Sequence, residues 1–285
     1  MHNIDGLDLW GVDFSSAPSK RKPVVLARGV LRGAVLQLQG LQALPTLLDF
    51  EAALRSPGPW FGAFDFPFGL PRAFVQAQGL GVDTRSVITE LQRRCATRMH
   101  FRALVDAWGN TQPKGQRLLH RATDAAMPGI SSTSPLQTRY VPVGFMYYEG
   151  LSRLVAAGVH LPRLCEGDPQ RVALEGYPGL LAFELIGRRS YKNSDASDRL
   201  LARKDIVEAL EQGRTRLHLR LKLTPAQAGE LVADASGDRL DAVLCLAQAA
   251  WARLQPGDGL PAQVDAVEGW ILGAGPALNA GPNRR

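Results

Sequence analysis

Cysteine is scarce in this chain of 285 residues: Cys95, Cys165 and Cys245 stand far apart, with no CxxC or Cys/His spacing. That excludes a disulfide framework and a thiolate zinc site, and it fits reduced thiols inside a core. Long apolar runs are missing as well. No stretch offers the 18 uninterrupted apolar residues of a membrane helix, and the opening MHNIDGLDLW lacks the basic-then-apolar layout of a secretory leader. No membrane partner and a cytoplasmic location are therefore expected. Histidines 100, 120, 160 and 218 show no metal-ligand spacing, and no GxSxG elbow surrounds Ser15 and Ser16 to make either a nucleophile. Lysine is uncommon. Most of the 33 cationic side chains, 27 of them, are arginine, whose planar fork suits phosphate, but the net charge of +6 is spread along the chain and points only weakly to a polyanion.

What is present is ordinary globular composition, 45% hydrophobic and able to bury a full core. Apolar segments at 7–14, 24–31 and 35–41, joined by short Gly- or Pro-containing links, predict an antiparallel meander. PTLLDFEAALRS follows as a helix with Leu47, Leu48, Phe50 and Leu54 on one stripe, and 60–66 reads as a fourth strand. A long helix is expected at 84–108, its apolar face built from Val87, Ile88, Leu91, Cys95 and Met99. The segment 110–142 is rich in Gly, Pro, Ser and Thr, carries Lys114, Arg117, Arg121 and Arg139, and reads as loop or small cap. A helix at 143–157, a fifth strand at 172–177 and a last strand at 267–272 complete the outline. The expected architecture is one α/β domain over 1–285. Its mixed central sheet has three antiparallel strands followed by parallel ones, with helices on both faces and a helical and loop insertion at 84–160.

Acids interrupt this pattern where strands should be most apolar. Alternation places Leu9, Gly11 and Asp13 on one face of the first strand, Phe61, Ala63 and Asp65 on one face of the fourth, and Ala173, Glu175 and Tyr177 on one face of the fifth. Each acid follows a small residue by two positions. Carboxylates converging in this way repel one another unless protons or a divalent cation neutralise them. Further acids come from DASGDRLDAVLCLAQAAWARL, a helix by the spacing of Leu240, Val243, Leu244, Ala247 and Trp251, with Asp238 and Asp241 three apart near its start. Ser236 or Asp238 is the expected N-cap, and Asp241 is expected in the first turn, where the helix dipole favours an acid whether or not it binds metal.

GVDFSSAP, AFDFPFGLP, SPLQTRYVPVGFMYYEGLSRLVAAGV, ALEGYPGLLAFELIGRRSYKNS and DASGDRLDAVLCLAQAAWA resemble, in collinear order over nearly the whole chain, the bacterial and archaeal family designated domain of unknown function 429. That family is described as predicted nucleases of ribonuclease H-like fold. The resemblance implies that Asp13 corresponds to the first-strand aspartate of such enzymes and Asp65 to the acid closing the fourth strand. Asp241, with Asp238 a turn earlier, is similar to the acids opening the last helix of Holliday-junction resolvases. Glu175 departs from the general pattern, in which the extra acid lies in the first helix; it is nevertheless preferred here over Asp49 and Glu51 as a further catalytic and metal-binding acid. The implied chemistry is two-metal phosphodiester hydrolysis with Mg²⁺ or Mn²⁺ on hard oxygen ligands, acting on DNA or RNA. Lys192, Arg188 and Arg189 would face a phosphate, unless they form only a solvated basic loop; Ser15, Ser16 and Arg121 are the other expected substrate contacts. Two other functions remain open: a non-catalytic nucleic-acid or nucleotide-binding module of the same fold, and a sugar-kinase-like phosphotransferase. The second is disfavoured because Phe14, Ser15 and Ser16 follow Asp13 where a glycine-containing phosphate loop is needed.

Overall fold

The fold was analysed in a computed structural model that describes residues 7–127 and 129–275. The first three strands are β1 (Asp8–Asp13), β2 (Val24–Arg32) and β3 (Val35–Leu44), paired antiparallel in sequence order. Gly33, with φ of 58°, makes the tight β2–β3 turn possible. Helix α1 (Leu47–Leu54) begins at a capping box, in which the Thr46 hydroxyl accepts the Asp49 N–H and the Asp49 carboxylate accepts the Thr46 N–H. Strand β4 (Trp60–Asp65) returns parallel to β1. The chain then runs through helices α2 (Arg72–Gln78), α3 (Thr84–Arg94), α4 (Arg98–Asn110), α5 (Ala122–Ala125) and α6 (Val143–Ala156). Next come strands β5 (Val159–His160) and β6 (Asp168–Glu175), helices α7 (Pro178–Ile186) and α8 (Ser197–Glu211), strand β7 (Arg220–Lys222) and helices α9 (Pro225–Ala233) and α10 (Asp238–Leu254). Seven strands form one mixed sheet in the order β5-β6-β4-β1-β2-β3-β7.

Each face of the sheet carries its own core. Trp10, Val12, Leu26 and Phe64 pack with Phe50, Phe74, Val87, Phe101 and Leu151 of the helices before β5. Leu9, Ala27, Phe61 and Leu174 pack on the opposite face with α7, α8 and α10. The expected sheet, antiparallel in its first three strands and parallel beyond, is thus present with helices on both faces.

Three local expectations are corrected. The single helix over 84–108 is two helices, because Thr97 ends the first run by capping the second: its hydroxyl accepts the His100 N–H, and Cys95 is already extended. Met99 consequently leaves the predicted stripe and is half exposed. The segment 267–272 makes an isolated parallel bridge, Glu175 with Ile271, rather than a strand. The sheet edge beyond β3 is instead filled by β7, a three-residue strand too short to announce itself by alternation.

Helix α10 is buried on every side from Leu240 to Ala252, as an internal helix rich in alanine allows. It crosses β1, β2 and β4. Its closest approach is at Gly11, where a Cβ would lie 2.0 Å from the Ala242 carbonyl oxygen and 2.1 Å from the Leu246 nitrogen. Both neighbours are backbone, so no side chain can rotate away to make room. We therefore expect Gly11→Ala to cost about 3 kcal/mol or more in denaturant unfolding. Gly40→Ala, on an open part of β3 where nothing lies within 4 Å, should stay within about 0.5 kcal/mol of wild type.

Candidate functional site

The pairing register of β1 with β4 sets Leu9 opposite Phe61, Gly11 opposite Ala63 and Asp13 opposite Asp65. Two carboxylates therefore end adjacent parallel strands on the face covered by α10. The close seat of α10 on Gly11 brings Asp241, in that helix's first turn, over the same point. One oxygen from each of Asp13, Asp65 and Asp241 lies within 4.8 Å of the others, so the three can hold a metal ion. Asp13 and Asp241 are buried and Asp65 is partly so.

Burial, the facing Asp65 and the nearby Asp238 push the Asp13 carboxyl well above the usual range; Lys192 and Lys22 pull it back only in part. Burial likewise raises Asp65 to about 6, with Lys192 opposing and Glu175 and Asp238 adding to the rise. Asp241 is held from both sides. The Tyr191 hydroxyl donates to its Oδ1 at 2.6 Å, and the Lys192 ammonium pairs with its Oδ2. The segment carrying these two residues is pinned from α8: buried Arg203 donates to the Tyr191 and Ser194 carbonyls, and Arg199 donates to the Lys192 carbonyl. Asn193 and Ser194 also donate their N–H groups to Ser236 and Ala235, just ahead of α10.

The start of α10 differs from the expected cap. Gly237, with φ of 81°, precedes the helix; the Ser236 hydroxyl accepts the Asp238 N–H, and the Asp234 carboxylate accepts the Arg239 N–H. Asp238 is thus the first helical residue and not the cap. Its carboxylate lines the same cavity as Asp13.

Glu175 is a correction of another kind. Alternation put Glu175 on one face with Ala173 and Tyr177, expected to be the face of Asp13 and Asp65, but in the observed register Leu174 lies opposite Ala63 and Glu175 opposite Phe64. A one-residue offset sends its side chain to the other face of the sheet. There its carboxylate accepts from both terminal nitrogens of Arg121, at 2.6 and 2.8 Å, and from the Phe68 N–H at 2.9 Å. Glu175 does not join the three-acid cluster.

Arg121 was expected to touch substrate, yet it is 1% exposed and every guanidinium N–H has a partner: Glu175, Asp124 or the Glu268 carbonyl. Burial disfavours its charge, but the two carboxylates more than offset this and raise its pKa. No donor is left for a phosphate. Arg188 and Arg189 are also displaced from the site. Both are exposed, Arg188 over the Phe183 ring and Arg189 paired with Asp205 of α8 at 2.7 Å. Ser15, Ser16 and Lys192 line the cavity with Asp13 and Asp65, and Arg121 and Glu175 also border it, paired with each other.

That cavity has a volume of about 620 Å³. Among the lining groups not foreseen are Lys22, at the end of an SKRK run whose charge was a legible signal, Tyr191, adjacent to Lys192 but with no pattern marking it out, and Tyr140. Comparison of the chain with protein-family models, with curated proteins and with solved structures gives no match in any of the three. Among the described residues, no helix is long and apolar enough to cross a membrane.

Two outcomes follow from this geometry. Arg121→Met should cost about 3–5 kcal/mol, because it strands two buried carboxylates; a thermal melt unchanged from wild type would restore a substrate role. Asp65 has a folded-state pKa raised above its unfolded value, so the stability linked to it is complete below about pH 4 and is lost as pH rises through about 6. In EDTA, Asp65→Asn should therefore match wild type near pH 4 and exceed it by about 1–2 kcal/mol at pH 8. Denaturant midpoints at the two pH values measure this, and a mutant less stable than wild type at pH 8 contradicts it.

Proposed function

We propose that this protein is a divalent-metal-dependent phosphodiester hydrolase of ribonuclease H-like fold that acts on nucleic acid. The observation carrying this reading is the convergence of Asp13, Asp65 and Asp241 from two strand ends and one helix start. The order β3-β2-β1-β4-β6, with the first three strands antiparallel, supports the fold assignment, as do acids in the positions that the family resemblance implies.

The donor set fits a hard cation. All three ligands are carboxylates, which suit Mg²⁺ or Mn²⁺ rather than a thiophilic metal. Asp241 Oδ2 is buried with the Lys192 ammonium as its ion-pair partner and no hydrogen bond, and Asp13 and Asp65, raised chiefly by burial and further by neighbouring acids, are carboxylates that a divalent charge would favour in ionised form. Asp13, Asp65 and Asp241 would hold the ion, with Asp238 at the edge. Bound there, a divalent cation supplies a water activated at neutral pH and charge for the leaving oxygen.

The chain's own groups provide the rest. Tyr191 keeps Asp241 oriented by donating to Oδ1, while Oδ2 carries the Lys192 ammonium, whose place a cation would take. Lys192 and Lys22 bring positive charge to the cavity wall, where a phosphate is attracted and oriented. Partly buried Arg199 holds the Lys192 carbonyl and buried Arg203 holds the carbonyls of Tyr191 and Ser194 on either side, so the ammonium moves through its own side-chain torsions.

A second reading has one observation in its favour. The Lys192 ammonium already pairs with Asp241, which neutralises part of the cluster without any metal, as a non-catalytic binding module would require.

Titration of the purified protein with Mg²⁺ and Mn²⁺ against labelled single-stranded, duplex, hybrid and branched oligonucleotides separates the two. Hydrolysis predicts metal-dependent cleavage that Asp13→Asn and Asp241→Asn each reduce by about a hundredfold or more, with melting in EDTA unchanged or raised. Cleavage that survives either substitution, or a fold lost with it, removes the acids from the chemistry.

A further inference from the structure

The acids and lysines of the cavity account for a phosphate but not for the rim above them. Tyr140 and Val141 lie there, with Tyr140 98% exposed and Val141 59% exposed. Tyr140 also has a φ of 60°, a left-handed conformation that a residue with a Cβ adopts at a cost. A large ring placed wholly in solvent, on strained backbone, gains nothing from packing. It has no aromatic partner among the described residues.

The turn that presents the ring is nonetheless tied down on both sides. The Arg139 guanidinium pairs with Asp106 of α4 at 2.6 Å, and the Arg139 N–H donates to Gln137 Oε1. Arg102 donates to the Thr138 carbonyl and lies over the Phe145 ring. Pro142 follows at once and opens α6. The ring is therefore held at the mouth of the cavity by ion pairs and backbone contacts that do not involve its own side chain.

Depth decides what such a rim meets. Asp241 is fully buried and Asp13 is 8% exposed, so a phosphate reaching them must enter the cavity rather than pass across its surface. At about 620 Å³ the space falls within the roughly 300–1,000 Å³ of pockets that enclose one small ligand, the scale of a nucleotide and not of a base-paired duplex. A strand whose backbone dips to the floor has its bases unpaired at the mouth, where an exposed aromatic face offers sequence-tolerant stacking.

Resting on the hydrolase reading for the nature of the ligand, we infer that the cavity admits an unpaired nucleotide of a single strand and that Tyr140 is the platform on which a base stacks. Tyr140 is then a specificity-determining residue that discriminates single strand from duplex. It takes no part in the chemistry at the floor.

The test is equilibrium binding, in EDTA so that no strand is cut, of a fluorescein-labelled 12-nucleotide thymidine strand and of the same strand annealed to its complement. The single strand should bind wild type at least about tenfold more tightly than the duplex. Tyr140→Ala should weaken single-strand binding about five- to hundredfold, Tyr140→Trp should retain it, and both should melt like wild type because the side chain is exposed. Equal affinity for strand and duplex, no binding of either, or a Tyr140→Ala protein that binds as wild type overturns the inference. Tyr140-dependent single-strand binding without any metal-dependent cleavage upholds it and removes the hydrolase reading. Cleavage of duplex that is indifferent to Tyr140 does the reverse.

Discussion

The contact between α10 and the bare backbone of Gly11 governs the site. Because a glycine sits at the centre of β1, the helix backbone rests directly on the strand, and its first turn arrives over the strand ends. Asp241 then meets Asp13 and Asp65 within 4.8 Å. Any larger residue at position 11 would lift the helix and open that cluster. The same approach explains the alanine content of α10, since a helix enclosed by strands and other helices has little room for long side chains at Ala242, Ala247, Ala249 and Ala250.

Close packing has an electrostatic consequence. Asp13 and Asp65 face each other across neighbouring strands in a buried pocket, which is the arrangement that raises carboxylate pKa values most. The protein answers with two different devices. Around Asp241 it supplies a phenol and an ammonium, both on a segment pinned by Arg203 and Arg199. On the other face of the sheet it neutralises Glu175 and Asp124 permanently, with a buried arginine whose donors are all engaged. One set of acids keeps oxygens available to a cation, and the other is closed to it. The distinction lies in the partner: a half-exposed lysine can swing away, whereas an arginine fully enclosed by carboxylates and a carbonyl cannot.

Much of this was legible in the sequence. Alternation within β1 and β4 put Asp13 and Asp65 each on the face of the small residue two positions earlier, and helical spacing put Asp241 on the first turn of α10. Both patterns are local, and side-chain direction follows from strand and helix geometry alone. The basic run ending at Lys22 was equally visible, although its place beside Asp13 was not. Glu175 shows the limit. Its alternation was sound within β6, but its face depended on the register between β6 and β4, and register is a property of two strands that no single segment contains.

By itself, the sequence determined the α/β class, the antiparallel first three strands, and the faces of Asp13 and Asp65 and the helical position of Asp241, because each rests on a period of two or 3.6 residues. Tertiary structure alone decided that the Arg121 donors are all engaged by buried acids and a carbonyl, that Arg188 and Arg189 face elsewhere, and that between Ser236 and Asp238 it is Ser236 whose hydroxyl holds a first-turn N–H, joined by Asp234, while Asp238 lines the cavity. An arginine, an aspartate or a serine has the same local preferences whether its partner is water, a carboxylate 54 residues away, as Glu175 is from Arg121, or a ligand. Which of these it meets is set only when the chain closes on itself.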